Sequence, residues 1–107
     1  MKKIVYIPLF VFVSSCFHQE IYSCSAPKQL TIFIEIKNNK FYSTLSTTKL
    51  KTESKIHINN KMEVYATESW PYSRSVYLLN KIEKKLEITE YQRGRYQETR
   101  NYKCTKK

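Results

Sequence analysis

The stretch Leu30-Thr31-Ile32-Phe33-Ile34-Glu35-Ile36-Lys37, followed by Asn38-Asn39-Lys40 and then Phe41 to Leu45, decides the fold. Leu30, Ile32, Ile34 and Ile36 recur at every second position with Thr31, Glu35 and Lys37 between them, so the segment is a strand with one buried face. A helix would need its apolar residues at i, i+3 and i+4. The two asparagines tolerate the left-handed backbone of a tight hairpin, which returns the chain as an antiparallel partner from Phe41 to Leu45. The same grammar recurs twice. Ile56-His57-Ile58, Asn59-Asn60 and Met62 to Ala66 form a second predicted hairpin; Ser75 to Leu79, a polar turn from Asn80 to Lys84, and Lys85 to Tyr91 form a third. A last segment, Arg95 to Lys103, follows Gly94 and runs into Cys104. The predicted architecture is all-β, an antiparallel meander of about six to eight strands in a small barrel or sandwich. Thr44 to Lys55 suits either a strand with one polar face or a loop, and Glu68-Ser69-Trp70-Pro71 reads as a connection.

Composition narrows the function. The chain has 107 residues, a net charge of +10, nine acids that are all Glu, and one Gly. That length allows one small domain. A single glycine leaves no material for a phosphate-cradling loop, and the lack of Asp removes both a Ser-His-Asp triad and an EF-hand.

The N-terminus has the grammar of an export signal. Lys2 and Lys3 precede an apolar run from Ile4 to Val13 that is interrupted only by Pro8. The run falls short of the roughly 20 residues a membrane-spanning helix needs, and it has the length of a signal-peptide core. Val13-Ser14-Ser15-Cys16 resembles the lipobox of bacterial lipoproteins. The resemblance implies that the Cys16 thiol is diacylated, that the signal 1–15 is cut away, and that the new amine is acylated. Phe17 stands where an inner-membrane retention signal would place Asp, so the resemblance implies an outer-membrane destination facing the periplasm. The alternative is an ordinary secretory peptide cleaved near Ser15, giving a secreted protein. The expected organisation is a signal at 1–15, a lipid-anchored tether at 16–23 and one β-domain at 24–107.

Three cysteines in an exported chain call for a division of labour. With Cys16 acylated, Cys24 and Cys104 remain near the ends of the mature chain, where an oxidising compartment joins them and so ties the first strand to the last. Two free buried thiols are the alternative. A domain of about 90 residues has a thin core, which makes such a staple consequential.

Catalytic groups are scarce. His18 lies in the tether and His57 lies on a strand between two isoleucines, neither with a nucleophile or carboxylate at a useful spacing. The histidines and cysteines show no metal-ligand spacing. Most glutamates alternate with lysines, as in Lys81-Ile82-Glu83-Lys84-Lys85-Leu86-Glu87, which is solvated strand and turn chemistry. The expectation is a protein that is not an enzyme and uses neither metal nor cofactor.

Binding is the remaining class. Removing Lys2 and Lys3 with the signal leaves a domain of +8. A tethered envelope protein meets anionic envelope components and other envelope proteins rather than nucleic acid, and its oligomeric state is not legible. The basic residues concentrate at Lys49, Lys51 and Lys55 and again at Arg93, Arg95 and Arg100, where alternate residues share a face. Edge protection by lysine is an equally good account of part of this charge. Trp70-Pro71-Tyr72-Ser73-Arg74 has the composition of an interface hot spot, although a lone tryptophan also suits the plug of a barrel end. The candidate surface is Trp70, Tyr72, Arg74, Arg93, Arg95 and Arg100.

A second resemblance joins the chain's ends. Tyr22-Ser23-Cys24, a short spacer, Leu30-Thr31-Ile32 and the returning Cys104 resemble the layout of the small periplasmic inhibitors of C-type lysozyme of the membrane-bound class. Those proteins are lipoproteins with a disulfide-closed antiparallel barrel. The resemblance implies an inhibitor or exclusion factor as the alternative to a general envelope-binding role. The Ser-Gly loop that the family inserts into lysozyme has no counterpart, because Gly94 is the sole glycine and follows a different strand. A +8 domain would also be repelled by a basic lysozyme. No site residues carry over.

Overall fold

The computed structural model describes residues 19–107. They form eight strands: β1 (Gln19–Ser25), β2 (Ile32–Lys37), β3 (Lys40–Leu45), β4 (Lys51–Asn59), β5 (Glu63–Ser69), β6 (Ser73–Asn80), β7 (Lys85–Gln92) and β8 (Arg95–Lys106). Each strand pairs antiparallel with the next, and β8 pairs back onto β1 to close a barrel. Cys24 and Cys104 lie opposite each other across that last ladder and are joined by a disulfide. Among the described residues, the eight strands, the buried core and the disulfide form one closed unit.

Local chemistry explains the turns. Asn38 and Asn39 both take positive φ, 53° and 61°, as a two-residue hairpin with the twist of its strands requires. Arg93 and Gly94 do the same at the β7–β8 turn, with φ of 52° and 78°. Asn60 and Asn80 close their turns by side chain instead. The Oδ1 of Asn60 accepts from the N–H groups of Met62 and Glu63, and that of Asn80 accepts from those of Ile82 and Glu83.

The meander fixes which turns share an end. The β2–β3, β4–β5 and β6–β7 turns lie at the end where β1 begins and β8 finishes, here called the near end. The β1–β2, β3–β4, β5–β6 and β7–β8 turns lie at the far end. Trp70 and Arg93 are thus at the opposite end from Gln19.

The interior is apolar in its central and near parts. Tyr22, Ile34, Phe41, Val64, Leu79, Leu86 and Ile88 are fully buried there. On β5 to β8 the inward positions nearest the far end are polar: Glu68, Ser75, Glu90, Glu98 and Arg100. The outer surface carries exposed Lys37, Glu53, Lys55, Glu87 and Lys103.

The structure corrects one expectation and decides two that the sequence left open. The tether of 16–23 overlaps β1, because Gln19 to Ser23 are already paired with β2. Glu20 faces inward there, where burial would raise its carboxyl, but Lys81 Nζ at 3.0 Å, Tyr22 and Lys106 together hold it below the usual range. Of the two readings left open for Thr44 to Lys55, the strand holds for 51–55, with Ser54 buried although it is polar. Finally, closure leaves no edge strand among the described residues, so their lysines have no edge to protect.

Candidate functional site

Trp70, Tyr72, Arg74 and Arg93 line one surface cleft at the far end, together with Pro71, Tyr91 and Gly94. The β5–β6 turn supplies the first two, and its backbone is tied by the Trp70 N–H to the Ser73 carbonyl at 2.8 Å. The β7–β8 turn supplies Arg93, whose N–H donates to the Tyr72 carbonyl at 2.7 Å and so locks the two turns together.

The side chains form an alternating ladder. The Arg74 guanidinium lies over Tyr91 at 4.9 Å from the ring centre, and that of Arg93 over Tyr72 at 5.6 Å. Tyr91 continues edge-on to Tyr96 at 6.3 Å. A guanidinium held over a ring keeps its N–H donors in its own plane, available for a carboxylate or phosphate. Arg93 takes a left-handed backbone that costs a residue with a Cβ about 1–2 kcal/mol, yet it is the residue that completes the second stack.

Comparison with protein-family models, curated proteins and solved structures finds no match. The geometry therefore has to carry the assignment.

Trp70 does not plug the barrel. Its side chain is 59% exposed, and the indole N–H donates to Glu68, which also accepts from the Tyr77 hydroxyl at 3.3 Å. Burial and the nearby Glu90 push the Glu68 carboxyl up, against the lowering effect of these two bonds. Burial likewise pushes the Tyr77 hydroxyl to about 12. Because the folded Glu68 holds its proton more tightly than the unfolded chain does, its ionisation removes stability as pH rises from the ordinary carboxyl range through the raised value. Glu68→Gln is expected to keep the fold and to flatten that pH dependence, with no loss of thermal midpoint at neutral pH. A drop there would show that the carboxylate is needed to hold the tryptophan.

The other two nominated arginines are not in the cleft. Arg95 is exposed at the start of β8, opposite Gln92. Arg100 faces inward opposite Ile88 and binds Glu90 at 2.5 Å and Glu98 at 3.5 Å, so it belongs to the polar interior rather than to the surface. Of the other basic group, Lys51 is paired with Glu35 at 2.8 Å and lies over Tyr42, which leaves Lys49 and Lys55 as its solvated members. His57 is exposed, with Nε2 2.7 Å from the Thr67 hydroxyl. Tyr91 and Glu68 were not apparent from the sequence, since their roles follow from the cross-strand pair Arg74–Tyr91 and from the inward turn of Glu68. The Cys16 lipid site and His18 lie outside the described residues.

Proposed function

We propose that the chain is a non-enzymatic envelope lipoprotein that is held by acyl chains on Cys16 and binds an anionic envelope component through the Trp70–Arg93 cleft. The observation that carries this reading is the pair of tyrosine-stacked arginines beside an exposed tryptophan, at the end of the barrel opposite the start of β1. An anchor that precedes Gln19 in sequence, with the cleft at the end of the barrel opposite Gln19, would let the domain reach outward from the membrane. Two or more acyl chains give stable attachment where a single chain is marginal.

The exposed Trp70 on a short turn supports a second reading, an inhibitor or exclusion factor that seats this turn in a partner protein. A salt-titrated pull-down from detergent-solubilised envelopes separates the two. An anionic partner is expected to elute steeply with salt, and Arg74→Ala to weaken its retention about ten-fold. A stoichiometric complex that survives high salt and is lost with Trp70→Ala would favour the inhibitor. For the anchor, mass spectrometry of the mature N-terminus is expected to show an acylated Cys16, and an unmodified cysteine would refute it.

A further inference from the structure

We infer that the near end of the barrel is a membrane-docking face, which sets two apolar turn tips and a collar of lysines against an anionic lipid surface. The sequence carries the same Asn-Lys-apolar-Glu pattern at both tips, Asn60-Lys61-Met62-Glu63 and Asn80-Lys81-Ile82-Glu83. In each the asparagine side chain closes the turn and the apolar residue stands exposed. Met62 is 65% exposed and Ile82 is 67% exposed. The Lys81 N–H donates to the Met62 carbonyl at 2.8 Å, so the two tips stand side by side as one unit.

The surrounding charge is predominantly basic, with Glu63 and Glu83 as the acids of the tips themselves. Lys61, Lys84 and Lys106 line the same depression as Lys81, and Lys37 and Lys40 flank the neighbouring β2–β3 turn. Glu20, the acid within that depression, is already engaged by Lys81 and Lys106. A pair of solvent-exposed aliphatic side chains ringed by ammonium groups matches the interfacial zone of an anionic bilayer, apolar below and negatively charged at its surface. The face also lies where the chain arrives at Gln19 from its N-terminal segment. The inference is independent of Cys16 acylation, because it concerns the barrel alone.

The far end also carries exposed apolar groups, so the test must tell the two ends apart. Trp70 is the sole tryptophan and sits at the far end, which makes it a built-in reporter. Residues 19–107 are mixed with phosphatidylglycerol-containing vesicles and, separately, with pure phosphatidylcholine vesicles, and co-sedimentation and tryptophan emission are recorded. Binding is expected to the anionic vesicles alone, weakening with salt, with the Trp70 emission unshifted. Met62→Asn with Ile82→Asn, and separately Lys61→Gln with Lys84→Gln, are each expected to lower partitioning about ten-fold at an unchanged melting midpoint. A blue-shifted Trp70 emission on binding, equal binding to both vesicle types, or near-end variants that bind as the parent does would overturn the inference. Because the acylated N-terminus is absent from this fragment, its failure would leave the lipoprotein reading untouched, and failure of that reading would leave this one standing.

Discussion

Cys24→Ala combined with Cys104→Ala is expected to lower the thermal midpoint of residues 19–107 by roughly 20 °C and to leave little folded protein at 37 °C. The bridge spans 80 residues of sequence. On the loop-closure account it removes up to about 4.5 kcal/mol of chain entropy from the unfolded state. That is a large share of the stability of a domain this small, since the whole net amounts to only about 5–15 kcal/mol. Its position adds to the effect. β1 and β8 come from the two ends of the chain, so bringing them together is the last and least local pairing, and the disulfide holds it. A thermal melt of the double variant under oxidising conditions, compared with the reduced parent, checks this. If both melt within a few degrees of the oxidised parent, the strand ladders alone suffice for closure.

Phe41→Ala is the second large effect, with an expected cost of about 3–5 kcal/mol. Phe41 is fully buried, packs against Tyr77 at 5.2 Å between ring centres, and stands opposite Ile36 on β2 and Ser54 on β4. Its neighbour Ser54 is small and polar, so it fills little of the space that the ring would leave. Equilibrium denaturation gives the number. A loss under about 1 kcal/mol would mean that the neighbouring strands close the gap, which a barrel pinned on all sides should not allow.

Much of the fold was legible because the inward residues of β2 (Ile32, Ile34, Ile36) and the first inward residues of β7 (Leu86, Ile88) recur at every second position. Ile32, Ile34 and Ile36 face inward as their spacing says, and the positive φ values at Asn38 and Asn39 follow from the residue type. The tether was misread because an inward position of β1 is occupied by Glu20, a charged group accommodated by Lys81 and Lys106 from distant parts of the chain. The cleft was legible as far as it is local, since Trp70, Tyr72 and Arg74 belong to one turn. Arg93 joins them because β6 and β7 pair across their whole length. Arg100 could not be placed, because the irregularity opposite Glu90 and Tyr91 shifts the register and breaks simple alternation along β8.

The separation of the two ends has a mechanical consequence. A pull on the chain before Gln19 against a hold on the Trp70–Arg93 cleft runs lengthwise along the strands. Ladder hydrogen bonds lie across the strands, so such a force loads the β1–β2 and β1–β8 ladders in shear, where their bonds resist together instead of opening in turn. Drawing the two termini apart is a different geometry. It peels Gln19 to Ser23 away from the wall one residue at a time, until the covalent link at Cys24 stops the tear. The barrel is thus a stiff strut along its axis, with a short fray at its base.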